Sequence, residues 1–147
     1  CDEPVSALDV SIQAQIINLL QDMKDRYDLS MLLISHDLSV VKLVCDRVAV
    51  MYLGRICEMT DSETLYRAPA HPYTAALLSA IPEADPTRPP KLAAMKEGEL
   101  PSATEPPPGC RFHTRCLRAE AICTEVVPPL VDIAEGHQAA CHFAVTD

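Results

Sequence analysis

Eight prolines stand among the 27 positions from Pro82 to Pro108, and they constrain this 147-residue chain more than any other feature. Proline has no amide hydrogen and biases the residue before it away from helix, so no helix or central strand can run through such a stretch. The segment 82–108 reads as an extended linker or surface strap between parts at 1–81 and 109–147. The flanks differ in kind. Residues 1–81 alternate strand and helix patterns, whereas four of the seven cysteines (Cys110, Cys116, Cys123 and Cys141) crowd into the second part.

Local signals are sharp in the first part. Ile12, Ile16, Leu19, Leu20 and Met23 recur at helical spacing, with Gln13, Asn18, Asp22 and Lys24 expected away from that face and Asp9 at the N-cap position. Met31-Leu32-Leu33-Ile34 is short and apolar on both faces, which suits a strand buried between the layers of a sheet. Asp37 is placed to cap a second helix carrying Leu38, Val41 and Val44, and Arg47 to Glu58 reads as two strands turning near Gly54. Thr60-Asp61-Ser62-Glu63 has capping-box spacing before a short helix through Tyr66, and another helix is expected from Tyr73 to Ile81. Alternation of this kind gives an α/β fold class.

Charge narrows the partners. Twelve Lys and Arg against 21 Asp and Glu leave a formal charge of −9, which repels nucleic acid and anionic lipid. The longest apolar run, Val48 to Leu53, falls far short of the roughly 20 residues a membrane-spanning helix needs. The opening Cys1-Asp2-Glu3-Pro4 has no initiator Met and no signal-peptide pattern, so the chain reads as a piece of a longer protein. An odd, clustered cysteine set without an export signal suggests a reducing compartment and a metal site rather than disulfides.

Asp2 and Glu3 are adjacent carboxylates where a strand should give way to a loop. Nucleoside triphosphatases divide labour across such a pair: one carboxylate helps hold Mg²⁺ and the next polarises the attacking water. As a bare dipeptide the pair would be an ordinary solvated loop. Here Ser6-Ala7-Leu8-Asp9 follows at once, and Ser35-His36-Asp37 closes the expected strand, at the end where open α/β sheets place ligands. In that combination Asp2-Glu3-Pro4 resembles the end of the Walker B motif of an ATP-binding-cassette ATPase, Ser6 to Asp9 its D-loop, and His36 its switch histidine. The resemblance implies that Asp2 contacts the Mg²⁺ shell, Glu3 is the general base, His36 bonds the γ-phosphate, and Ser6 and Asp9 signal across a dimer of ATPase subunits.

Further motifs extend the likeness to about residue 143. Tyr52-Leu53-Gly54-Arg55-Ile56 with Glu58, then His71-Pro72-Tyr73-Thr74, is similar to the oligopeptide/dipeptide importer ATPases. So are Gly109-Cys110-Arg111-Phe112-His113, Arg115-Cys116, Cys123 and Ala140-Cys141-His142. The implied architecture is the C-terminal part of a P-loop ATPase domain, a Pro-rich strap, and a small irregular Cys-rich extension. No phosphate loop of the form G-x-x-x-x-G-K-[ST] surrounds any of the four glycines, and no Leu-Ser-Gly-Gly-Gln signature is present. The 147 residues alone are therefore expected neither to bind nor to hydrolyse ATP appreciably, and to self-associate through apolar surface left without neighbours.

Spacings of five, six and seventeen residues between the four clustered cysteines do not name a metal. Four thiolates can enclose Zn²⁺ or a [4Fe–4S] cluster, and His113, His137 and His142 are possible substitutes. Simple packing of free cysteines is the bland alternative. The resemblance implies the iron–sulfur cluster, with Phe112, Leu130 and Ile133 as candidates for its apolar shell. As a whole the resemblance implies an energy-coupling ATPase subunit, peripheral on the cytoplasmic face of the membrane. It would be docked on integral-membrane permease subunits, paired with a second ATPase and served indirectly by a solute-binding protein. The other reading is a non-catalytic metal-binding interaction module.

Overall fold

Asp9 and Asp37 start the two helices of the first of two compact units, Cys1–Asp46, in the computed structural model of the chain. The structure describes residues 1–81, 95, 96, 98 and 100–144. Helix α1 spans Val10–Tyr27, and the Asp9 carboxylate accepts from the amides of Ser11 and Ile12. Helix α2 spans Leu38–Val44, with Asp37 accepting from Ser39 and Val40. Each side chain meets amides that have no partner within their own helix.

The packed face of α1 is rotated from the one expected. Ile17 is buried with Val5 and Val40, and Ile16, Leu33 and Val44 pack around them. Gln13 reaches Asp37 at 3.3 Å, Gln21 donates to the Leu43 carbonyl at 3.0 Å, and Lys24 meets Asp46 at 2.6 Å. Gln13 and Lys24 therefore border α2, while Ile12, Leu19 and Met23 stay exposed. The apolar stripe is wider than one short partner helix can cover.

Met31–Ile34 does not form the expected buried strand. The segment makes backbone bonds to residues 1–3, from Ile34 N to Cys1 O and from Glu3 N to Ile34 O, and Asp2 and Ile34 form an isolated parallel bridge. Leu32 and Ile34 remain 77% and 53% exposed. A strand is defined by its partners, and here the described residues supply a single short one.

The second unit, from Arg47 onward, is built on a four-stranded antiparallel sheet in the order β1-β2-β4-β3. Strands β1 (Arg47–Tyr52) and β2 (Arg55–Asp61) form a hairpin whose two turn residues, Leu53 and Gly54, both have positive φ, 45° and 75°. That is the backbone a two-residue turn needs to match strand twist. Helix α3 (Ser62–Arg67) follows, capped by Asp61, the last residue of β2, rather than by Thr60: the Asp61 carboxylate accepts from the Thr64 amide. Helix α4 (Pro72–Ser79) starts with Pro72 at its first turn and ends before the expected Ile81. Helix α5 (Ala121–Glu125) and the hairpin of β3 (Val131–Ala134) and β4 (His137–Ala139) complete the unit.

β4 pairs with β2 through Glu58–Ala139 and Met59–Gln138. Residues before and after the proline-rich stretch thus share one sheet and one compact unit, and the break between units lies at Asp46/Arg47 instead of at 82–108. Pro82, Pro86, Pro89 and Pro90 lie outside the described residues, while Pro101 and Pro106 to Pro108 are in neither helix nor strand. Met95 bridges Cys116 and packs on the core of Tyr52, Cys57, Phe112 and Cys116. Phe112, Tyr52 and Tyr73 form a triangle of rings, Phe112 lying 5.4 and 5.3 Å from the two tyrosines, which are 4.6 Å apart. Burying an aromatic ring of this kind contributes about 1.5–3 kcal/mol.

Candidate functional site

In the first unit, Glu3 and His36 meet although 33 residues separate them, with Glu3 Oε1 2.9 Å from His36 Nδ1. The carboxylate can only accept, so Nδ1–H donates and Nε2 is left for another partner. Glu3 is held in the left-handed region, φ 43°, a conformation that costs a non-glycine residue about 1–2 kcal/mol. Three bonds fix it there: its amide donates to the Ile34 carbonyl, and its own carbonyl accepts from both the amide and the hydroxyl of Ser6. Both side chains are largely open to solvent, 48% for Glu3 and 72% for His36. The arrangement is a base and an imidazole presented outward on a constrained loop.

The other residues expected at this site are placed differently. Asp2 is exposed and joins the site through its backbone bridge to Ile34. Ser6 acts on the Glu3 backbone, and the Asp9 carboxylate is engaged in capping α1.

In the second unit, Cys110, Cys116, Cys123 and Cys141 line one small chamber together with His71, Phe112, His113 and His142. Gly109 brings two of these cysteines together. At φ 67° its Cα lies so near the next segment that a Cβ would come within 2.4 Å of the Cys123 carbonyl oxygen. The Cys110 amide donates to that same oxygen at 2.8 Å. Two sulfurs accept backbone bonds from two residues ahead, Cys116 from Arg118 at 3.3 Å and Cys141 from Phe143 at 3.4 Å. Burial pushes the Cys110 and Cys141 thiols up, opposed by the amides of Phe112 and Phe143, so a metal would have to displace their protons.

The chemistry of this donor set fits a thiolate-bound group: four sulfurs face one space, with amides directed at them. The free volume is about 10 Å³, so the thiols would have to turn outward to admit anything larger than a water. Among the described residues no three or more His, Cys, Asp or Glu side chains are arranged to hold a metal ion. Of the expected apolar shell, only Phe112 lines the chamber. His137 faces away from this role, and His113 Nδ1 donates to the Cys110 carbonyl at 2.8 Å.

A buried polar cluster went unread in the sequence. Glu58 is fully buried, and its carboxylate accepts from the amides of Ala70 and His71 at 2.8 and 2.9 Å and from His137 Nε2 at 2.8 Å. Two adjacent strand residues, Cys57 and Glu58, both point inward because the ladder shifts register between Val50 and Met51. His71 Nδ1 accepts from the Tyr73 amide and so caps α4. Burial lowers the His71 pKa to about 4, against the opposing pull of Glu58 and the Ala140 backbone.

A buried neutral imidazole makes stability depend on pH. In the unfolded chain His71 takes up a proton near its ordinary 6.5, and in the folded chain only near 4. The unfolded state therefore binds more protons across that window, and stability falls as pH drops through it, by about 3 kcal/mol in all. Urea unfolding between pH 7.5 and 4 should show this loss, and a His71→Gln variant should lose less over the same range.

Residues 57–123 match the family model described as oligopeptide/dipeptide transporter, C-terminal region. The chain is 56% identical over 140 residues to a Brucella ovis protein named for peptide import and ATP binding, covering 95% of this chain and 44% of that one. It is 52% identical over 148 residues to the oligopeptide transport ATP-binding protein AppF of Bacillus subtilis, covering 97% and 44%. A peptide ABC transporter ATP-binding protein of Sinorhizobium fredii is 52% identical over 141 residues, covering 96% and 40%. The chain thus spans less than half the length of these relatives. By these matches it corresponds to a C-terminal segment of the ATP-binding proteins of oligopeptide/dipeptide ABC transporters.

Proposed function

We propose that the chain is the C-terminal part of an ATP-hydrolysing subunit that drives import of oligopeptides or dipeptides. The observation that carries this reading is the 2.9 Å contact between Glu3 and His36, the pair that the ATP-binding-cassette resemblance assigns to nucleotide chemistry. In the full-length protein Glu3 would take the proton of the attacking water, and His36, carrying a proton on both ring nitrogens, would donate Nδ1–H to Glu3 and Nε2–H to the γ-phosphate. Asp2 would stand at the Mg²⁺ shell, and Ser6 and Asp9 would form the loop that reports to a second ATPase subunit. No glycine of this chain belongs to a phosphate loop, so residues 1–147 alone would not turn over ATP. No described helix is long and apolar enough to cross a membrane, which accords with a peripheral subunit on the cytoplasmic face held by permease subunits. A solute-binding protein would act at a remove, and no nucleic acid is involved.

Cys110, Cys116, Cys123 and Cys141 would hold a [4Fe–4S] cluster rather than Zn²⁺. Four thiolates can hold either, and the resemblance to peptide-importer ATPases with this cysteine pattern favours the cluster over a single ion. When bound, the cluster would supply a redox-sensitive staple. The protein's own part is to aim amides at the sulfurs and to keep Phe112 against them. Anaerobically purified protein should contain about four irons per chain with matching acid-labile sulfide. Zinc in their place, or neither metal, would overturn the assignment. The reading as a stand-alone metal-binding module is set aside, because the comparisons point to transporter subunits throughout.

A further inference from the structure

We propose that the second unit carries a separate binding site for a small amphipathic carboxylate, with the apolar body against Ile56 and Leu130 and the carboxylate between Arg55 and Arg111. The site is a cavity of about 350 Å³, within the range of roughly 300–1,000 Å³ typical of small-molecule pockets. It is larger than the cysteine chamber, with which it shares His71, Cys110 and Phe112, and it does not depend on the nucleotide chemistry proposed above. Ile56, Phe112, Val127 and Leu130 make the walls apolar, and Pro128-Pro129 stiffens one side. A stiff wall lowers the ordering cost of binding.

The charge pattern selects the ligand. Arg55 and Arg111 line the cavity and, among the described residues, no Asp or Glu does, in a chain whose formal charge is −9. Arg111 is anchored by a bond from Nη1 to the Leu53 carbonyl at the β1–β2 turn, which leaves further N–H donors on the same planar head. Gly54 sits beside it, where a Cβ would make an ordinary van der Waals contact with Nη1 at 3.6 Å. Cys57, Cys110 and His71 are further polar side chains of the wall. Tyr52 also belongs to the wall, and its buried hydroxyl has no hydrogen-bond partner among the described residues. A planar fork matches a carboxylate, and the apolar remainder matches a hydrocarbon body. A zwitterionic peptide is disfavoured, because among the described lining residues its ammonium would meet Arg55 and Arg111 and no carboxylate.

Calorimetric titration of the full chain with octanoate, octan-1-ol and the dipeptide Leu-Leu tests the assignment. Octanoate should bind saturably, with the alcohol and the dipeptide each about tenfold weaker or worse. Arg55→Gln, at an exposed position, should weaken octanoate by about tenfold, and Leu130→Trp should abolish binding by filling the cavity. The proposal falls if octan-1-ol or Leu-Leu binds as tightly as octanoate. It also falls if octanoate fails to bind the folded chain, or binds both variants as it binds the wild type.

Discussion

Replacing Glu3 by Gln in the full-length protein is expected to lower Mg-ATP turnover by about 10²–10⁴-fold while leaving nucleotide binding in place. The amide keeps the shape of the carboxylate but cannot take a proton. Its backbone site should persist, since the bonds to Ile34 and Ser6 use main-chain atoms of residue 3. His36→Ala should also depress turnover, because it removes both the 2.9 Å contact and the Nε2 edge of the ring that would face the γ-phosphate. The two losses should not add, since the residues act through one contact. Steady-state phosphate release and equilibrium nucleotide binding, measured on the same preparations, separate the effects. Turnover of Glu3→Gln within threefold of wild type would remove the base assignment.

The second large effect concerns folding. Glu58→Ala is expected to destabilise the second unit by about 3–5 kcal/mol, the usual consequence of breaking a buried charged pair. The substitution strands three donors at once: the amides of Ala70 and His71 and the His137 ring nitrogen. Glu58 is fully buried, so solvent cannot take over those bonds without opening the sheet where β2 meets β4. Glu58→Gln keeps one carbonyl acceptor and should recover part of the loss. Glu58→Ala combined with His137→Ala should cost less than the sum of the single variants. Chemical denaturation of the chain reads all three, and a loss below about 1 kcal/mol for Glu58→Ala would contradict the picture of a buried clasp.

What could be read from the sequence was local. Asp9 and Asp37 were legible as caps because a capping side chain bonds amides two or three residues ahead, and the Leu53–Gly54 turn was legible for the same reason. Motif resemblance named Glu3 and His36 for one site, but their direct contact was not legible, since nothing in the spacing of residues 33 apart demands it. Met31–Ile34 failed as a buried strand because apolarity on both faces describes a potential that only partner strands can realise. The antiparallel order β1-β2-β4-β3 is a long-range pairing that the proline-rich stretch disguised as a boundary. Glu58 was hidden by a register shift that turns two consecutive residues inward, against the alternation by which strand faces are read. His71 and His137 lacked any signal until that carboxylate was placed between them.

The most direct test is the position of the nucleotide itself. A structure of the full-length Glu3→Gln protein with Mg-ATP should place the γ-phosphate within hydrogen-bonding reach of His36 Nε2, with a water between it and the side chain at position 3. A nucleotide bound elsewhere, with His36 and residue 3 facing only solvent, would contradict the account.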